Sequence, residues 1–570
     1  MRMPAALLIP LIGAGSILMQ QPAGDRPAGN TRGTRSVVMA RNGIIATSQP
    51  LATAAGLRVL QAGGNAIDAA VTAAAVLSVV EPTMNGPGGD LFAIVYSAKD
   101  HTVHGLNASG RAPALATLDE FRKRGLQRVP LRGELSVSVP GVVDGWNELL
   151  TKYGTRTLAQ ALDPAITYAR DGYPVSEIIA MQWKEAEAVL ARDPNAAKTF
   201  LIDGKAPRAG DIFKNPSLAN SLDQIAKGGR DVFYKGALAK AIADDMQRRN
   251  GLIRLEDLAA HHADWIEPIS TTYRGYQVLE LPPNTQGVSA LEMLNIMEGF
   301  DLKSLGHNTA PYLHALVEAK KIAFADRGAW IGDPATTPAK AIERMLSKEY
   351  AAARRKEINP DKAADPYGYE PLALEGRSTP QRDEDPAGRG DTVFLTAADA
   401  DGNVVSLIQS LFETFGSGIV AGDTGIVLHD RGNLFSLTPG HPTAIAPGKR
   451  PFHTLIPAMV LKEGLPWVSF GVMGGDMQAQ GHAQVLANLI DFGMNIQDAG
   501  EAPRFRHSGS NLMLESAFTA DVRAGLASRG HHIVGGHDAF GGFQGIMIDS
   551  KTHVLMAGSD PRKDGMAAGW

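Results

Sequence analysis

The chain has 570 residues, 44% of them apolar and 20% charged, and a formal net charge of −5. That length suits two or more domain-sized units, and so mild a charge, with basic residues scattered rather than gathered, argues against a nucleic-acid partner. There is no cysteine, which excludes disulfides, thiolate metal ligands and a cysteine nucleophile and leaves covalent chemistry to Ser, Thr, Lys or a carboxylate.

Residues 1–19 carry Arg2 and then an apolar run broken only by Pro, Gly and Ser, too short and interrupted for a stable membrane span but suited to an export signal. Residues 20–35 are a Gly-, Pro- and Ala-rich leader, so residues 1–35 are set apart and a periplasmic or secreted location is expected, with a cytoplasmic one as the alternative. From residue 36 to about 354, short β-branched runs alternate with helical patterns; residues 43–48 predict a strand and the Ala-rich stretch 51–80 buried helices. Residues 313–327 (LHALVEAKKIAFADR) have apolar spacing with charges on the other face, which predicts an ordinary outer-layer helix without chemistry. Residues 352–391 are charged and Pro/Gly-rich and predict an exposed linker that closes a large segment, 36–391.

Immediately after that linker, TVFLTA (392–397), the turn cluster around Asp401-Gly402 and VVSLIQS (404–410) predict a β-hairpin, the start of a smaller segment, 392–570. Folding it about the turn brings Thr392 opposite Ser410 and Leu411. Further on, residues 457–461 and 467–472 predict strands and 478–492 a helix, directly after Gly474-Gly475.

A hydroxyl residue that opens a core strand just behind a flexible linker suits self-cleavage. Its side chain attacks the preceding carbonyl, here that of Asp391, and the new α-amine, of intrinsic pKa roughly 7.7 to 8.0, then serves as base for the same hydroxyl. Taken alone, Thr392 reads more readily as a plain threonine at a strand start, a common position, than as a nucleophile.

The surrounding motifs decide the matter. GDTVFLTAADADGNVVSLIQS with FGSGIVAGDTGIVL, and before and after them ATSQPLATAAGLRVLQAGGNAIDAA, EPTMNGPGGDLFAIVY, VPGVVDG, PGKRPFHTLIPAMVL and APRFRH, resemble the gamma-glutamyltransferase family over nearly the whole chain. The resemblance implies an α+β fold, the four-layer αββα sandwich of N-terminal nucleophile hydrolases, in which one precursor is cut between Asp391 and Thr392 into a large and a small subunit. It implies Thr392 as nucleophile, Ser410 as the assisting hydroxyl, Gly474 and Gly475 as backbone donors to an oxyanion, and Arg111 as the group that grips a substrate carboxylate. The expected activity is hydrolysis or transfer of γ-glutamyl amides such as glutathione, with water or an amine as acceptor.

Other positions depart from that pattern. Leu434 stands where an acidic residue binds the substrate ammonium, Phe412 where an asparagine contacts substrate, and His453-Thr454 where two serines stand. With Asn433, Phe412, His453 and Thr454 are the expected substrate contacts of an altered acyl pocket, and Asp423, Asp430 or Asn433 could replace the lost acceptor. Two other readings therefore stand beside glutathione cleavage: an amidohydrolase akin to the cephalosporin or glutaryl acylases or to small-amide hydrolases, and an unprocessed, non-catalytic binding relative. No cofactor is implied, and the pairs His261-His262 and His531-His532 have diverging side chains, so no metal site is expected.

Overall fold

The computed structural model describes residues 35–364, 367–368, 391–536 and 539–570. The proposed leader and most of the proposed linker lie outside these residues; the linker's first four, Ala352 to Arg355, are not linker but the end of the helix Lys348–Arg355.

Two antiparallel seven-stranded sheets lie face to face. The first runs in the order Met566–Gly569, Gly43–Thr47, Asp391–Asp399, Val404–Phe412, Asp90–Ser97, Thr102–Asn107, Asp264–Ile266. The second runs Val38–Ala40, Leu555–Ser559, Phe543–Ile548, Leu465–Val472, Ala458–Lys462, Tyr276–Glu280, Ile269–Tyr273.

Strand alternation sorts the side chains into layers. Val393, Leu395 and Ala397 point outward into a core shared with the helices Pro50–Gln61, Ala66–Val80 and Val142–Tyr153. Phe394, Ala398, Ile408 and Phe92 point inward and meet Met459 and Ile546 of the second sheet. The outer face of that sheet, with Val460, Val468 and Phe470, is covered by the helices Gly287–Met297, Ala310–Trp330 and Met477–Ile490. The result is the αββα sandwich that the resemblance implied.

The predicted hairpin forms from Asp391–Asp399 and Val404–Phe412. Asp399 locks its turn: one carboxylate oxygen accepts the N–H groups of Asp401 and Asn403, each at 3.0 Å, and the other accepts the N–H of Ala66 at the start of a helix. The helix Ala66–Val80 begins with a capping box between Asn65 and Asp68 and is buried along its whole length, as its small side chains allow.

Residues 313–327 depart from expectation. Their helix is Ala310–Trp330, and Glu318, Lys320, Asp326 and Arg327 are buried rather than facing solvent, because a second layer covers the charged face. Among the described residues no helix is long and apolar enough to cross a membrane.

Candidate active site

The contacts between the inward faces of the two sheets place Thr392 and the Gly474–Gly475 turn toward the same end of the sandwich. Thr396 and Ser469 share a hydrogen bond of 2.7 Å across the interface, and a Cβ on Gly471 would lie 2.5 Å from the Phe394 ring. Moving two residues further along both strands carries Thr392 toward Met473 and Gly474.

Thr392 is 2% exposed. It sits at an irregularity in the ladder, where pairing passes from Val393↔Gln409 to Asp391↔Phe412, so that one residue faces two, Ser410 and Leu411, as folding the hairpin predicted. Its Oγ1 donates to Ser410 Oγ at 3.3 Å, and the same Ser410 oxygen accepts the Phe412 N–H at 2.8 Å. Phe412 has φ of 82°, a left-handed conformation that a bulky residue adopts only under constraint. The Gly89 backbone presses against the same corner, where a Cβ would lie 2.5 Å from the Ser410 carbonyl.

Gly474 and Gly475 form the turn into the helix Met477–Ile490, with φ of 112° and 58°. Neither N–H donates to another group among the described residues. Lying ahead of the first turn of the helix, they take no part in its ladder and can serve an anionic oxygen. The turn is held from behind. Gln286 Nε2 donates to the carbonyls of Thr454 and Gly475 at 2.8 and 3.1 Å, and Arg327 Nη1 donates to Gln286 Oε1 and Asp476 Oδ1 at 2.6 and 2.7 Å.

Behind Ser410 lies a buried polar cluster that sequence reasoning missed. Asp90, paired with Ser410 in the ladder, accepts from His453 Nε2 at 3.0 Å and from the Gly110 N–H at 2.8 Å, with His429 Nδ1 at 3.4 Å. Burial opposes the charge on Asp90, but His429, the His453 hydrogen bond and Arg431 outweigh it and hold the carboxyl below the usual range. Burial and then the Arg431 charge push His453 down to about 3, so its ring is neutral. Its Nδ1 accepts from the Leu455 N–H at 3.4 Å, so both ring nitrogens are engaged and neither is offered to a substrate. His429 is likewise pushed down by burial; its Nε2 donates to the Ser138 carbonyl at 2.9 Å. The signal for Asp90 was its place directly after the Gly-rich GPGG turn.

The remaining predicted contacts divide. Thr454 and Phe412 meet at Arg431, whose Nη1 donates to Thr454 Oγ1 at 3.1 Å and whose guanidinium lies 4.4 Å from the Phe412 ring centre. Leu434 joins Phe412, Val288, Trp330 and Phe452 in one apolar cluster. Asn433 turns its Nδ2 to the Val129 carbonyl at 2.9 Å. Asp423 is exposed and pairs with Lys198. Asp430 is fully buried; one oxygen accepts the Glu413 N–H at 3.1 Å, the other has no partner among the described residues, and burial raises the carboxyl to about 7. Arg111, one residue beyond Gly110, lines a cleft of about 300 Å³ with Val139, Asp257 and His261. There its Nη2 pairs with Asp264 at 2.9 Å, an acceptor shared with the buried Arg450.

Among the described residues one trio, His314, Glu318 and His531, holds three possible ligand atoms within 4.8 Å. Its atoms already have other partners. His314 Nδ1 and His531 Nε2 share a hydrogen bond of 2.8 Å, and Lys321 Nζ donates to Glu318 at 2.7 Å.

Residues 52–570 match the family model described as gamma-glutamyltranspeptidase. Among curated proteins, the chain is 40% identical to the glutathione hydrolase-like YwrD proenzyme of Bacillus subtilis (strain 168), over 91% of this chain and 97% of that protein. It is 38% identical to the acylase ACY 1 proenzyme of Pseudomonas sp. (strain SE83), over 89% and 90%. Among solved structures it resembles the cephalosporin acylase of Bacillus halodurans with a TM-score of 0.88 and 42% identity, covering 96% of this chain and 99% of that one.

Proposed function

Since this chain belongs to the gamma-glutamyltranspeptidase family and is a hydrolase of its N-terminal nucleophile kind, we propose that it is a self-processing amide hydrolase whose nucleophile is Thr392. The observation that carries this reading is the buried Thr392 hydroxyl at a ladder irregularity, donating to Ser410 Oγ, at the end of the sandwich where two glycine N–H groups have no partner among the described residues. In the precursor, Thr392 Oγ1 attacks the carbonyl carbon of Asp391. The C–N bond breaks, the hydroxyl proton ends on the nitrogen, and water hydrolyses the resulting ester to leave a carboxylate on Asp391 and a free amine on Thr392.

In the processed enzyme that amine takes the hydroxyl proton as Oγ1 attacks a substrate amide. The Gly474 and Gly475 N–H groups receive the developing oxyanion, where a backbone donor is worth about 3–4 kcal/mol. The proton passes to the departing amine, and water or an amine acceptor then releases the acyl group. Ser410 holds the Thr392 oxygen in line, while Asp90, with His453 and His429, holds the strand that carries Ser410. The named relatives span glutathione hydrolase-like and acylase proteins, so γ-glutamyl amides and other acyl amides are both candidate substrates. The apolar cluster around Leu434 favours an acyl group without an ammonium.

The test is the intact mass and N-terminal sequence of the purified chain beside its Thr392→Ala variant. Wild type is expected to give a fragment starting at Thr392 and the variant none; a wild-type chain that folds and stays whole would sink the proposal and favour a binding protein.

A further inference from the structure

Resting on the proposed activity, we infer that His482, oriented by Glu280, is a positioning residue for the oxyanion turn. It closes the chain around Gly474-Gly475 into a fixed loop, so that stabilisation of the transition state depends on a side chain whose two ring nitrogens are both spent inside the protein.

The strand Leu465–Val472 leads into the turn and the helix Met477–Ile490 leads out of it. On one side of the strand's end pairing continues, the Met473 N–H donating to the Gly542 carbonyl at 2.8 Å. Successive N–H groups alternate sides, so that of Val472 faces the side where pairing with Ala458–Lys462 has already stopped, at Ala458↔Phe470. A buried N–H there needs an acceptor from elsewhere. It finds one in His482 Nε2 at 3.2 Å, ten residues further along the chain. That bond runs from strand to helix, and the two proposed oxyanion donors lie in the bend between them.

The state of the ring follows from its partners. Nε2 accepts, so the ring proton sits on Nδ1, which donates to Glu280 Oε1 at 2.7 Å. Both residues are fully buried, and the Phe470 ring packs against the imidazole with centres 4.8 Å apart. The helix comes so close to the strand only because the residue beside His482 has no side chain: a Cβ on Gly481 would lie 2.6 Å from Val472 Cγ1. Glu280 also ties this staple to the grip on the turn itself. It ends the strand Tyr276–Glu280, and the chain that follows carries Gln286, which donates to the Gly475 carbonyl. Segment 280–286 thus holds the loop at its neck through His482 and at its tip through Gln286. Releasing the neck lets the Gly474 and Gly475 N–H groups shift, and a misplacement of about 1 Å at a reacting centre costs up to about 100-fold in rate.

Two variants separate the two hydrogen bonds of the imidazole. Asparagine places a nitrogen where Nδ1 stands and keeps a donor for Glu280 but has no acceptor for Val472; glutamine places an oxygen where Nε2 stands and keeps that acceptor. Wild type, His482→Asn and His482→Gln are assayed as cut enzyme, quantified by intact mass, on whichever of γ-glutamyl and glutaryl 4-nitroanilide wild type hydrolyses. In His482→Asn kcat is expected to fall about 10- to 100-fold with KM within about twofold of wild type, because the loss falls on the transition state, whereas His482→Gln keeps kcat within about threefold. Thermal unfolding of both substitutions in the uncut Thr392→Ala background records the stability each costs. Should His482→Asn not fold, Gly481→Ala, which forces the helix off the strand and leaves the imidazole intact, is expected to lower kcat in the same way, and a wild-type kcat there overturns the inference. So does a His482→Asn enzyme that melts earlier but turns over at the wild-type rate, an equal loss of kcat in the Asn and Gln variants, or a loss that falls on KM alone. In each of those cases the proposed activity still stands. A wild-type chain that is not cut, or is cut and hydrolyses neither anilide, overturns the activity itself and the inference with it.

Discussion

Replacing Ser410 by alanine isolates the hydroxyl on which the Thr392 geometry depends. Two hydrogen bonds converge on Ser410 Oγ, from Thr392 Oγ1 at 3.3 Å and from the Phe412 N–H at 2.8 Å. Alanine leaves that N–H buried without its acceptor, which costs about 1–3 kcal/mol, at a residue whose φ of 82° already needs outside support. The nucleophile also loses the acceptor that orients it. If orientation is worth one such bond, about 1.4–2.8 kcal/mol, Ser410→Ala slows both self-cleavage and acyl hydrolysis about 10- to 100-fold. Time-resolved denaturing gels give the first rate, anilide hydrolysis the second, and thermal unfolding of the uncut Thr392→Ala background the stability loss. Ser410→Thr keeps the oxygen and is expected to retain most of both rates. Cleavage of Ser410→Ala at the wild-type rate, or equal loss in Ser410→Thr and Ser410→Ala, would refute the reasoning.

Three further outcomes follow from the same geometry. Gly474→Ala places a methyl 3.1 Å from Gly541 Cα and 3.3 Å from Met477 Cβ at φ of 112°; the turn must shift, and hydrolysis is expected to fall on the order of 100-fold as a donor leaves the oxyanion, with wild-type kinetics as the contrary result. In the processed enzyme kcat/KM rises with pH to a plateau with one inflection at roughly 7.7 to 8.0, the range of an α-amine that must be neutral to act as base; His453, pushed down to about 3, adds none near neutrality. Asp430 has its carboxyl raised by burial to about 7 from an ordinary 3.8, so the fold binds its proton more tightly than the unfolded chain does. Its contribution is complete below about pH 3.8 and is lost as pH rises toward 7, so Asp430→Asn should stabilise the protein at pH 8 by up to about 4 kcal/mol and much less at pH 4; denaturant melts of the variant at the two pH values check the sign.

The hairpin was legible because period-two alternation and an Asp-Gly turn are local, and its folding alone placed Ser410 against Thr392. The cluster behind it was not. Asp90, His429 and His453 are far apart in sequence and meet only because single bridges, Gly88 to Leu428 and Thr285 to His453, pin three loops together. The family pattern marked His453 as a substrate contact, yet its two nitrogens are spent on Asp90 and the Leu455 N–H. Arg327 was hidden for a different reason. Its helix has the charge pattern of a surface element, and only the fold reveals a second layer over that face, where Arg327 steadies Gln286 and Asp476. Periodicity reports that a face is polar; it does not report whether that polarity meets water or a buried partner.

The position of Thr392 in the first sheet also explains how a chain can be cut through its core and stay folded. The strand that begins at Asp391 is central, with Gly43–Thr47 on one side and Val404–Phe412 on the other, and the latter pairs in turn with Asp90–Ser97. Segments before and after the proposed cut are interleaved in the sheet, with Met566–Gly569 pairing with Gly43–Thr47 at its far edge. The second sheet is mixed in the same way, Ala458–Lys462 lying against Tyr276–Glu280 and Val38–Ala40 against Leu555–Ser559. Cleavage at Asp391 removes one covalent bond and none of these ladders, so the proposed two pieces stay joined by backbone hydrogen bonds and by the shared apolar layer between the sheets. What the proposed cut would change is local: it would free one amine at the end of a buried strand, beside Ser410.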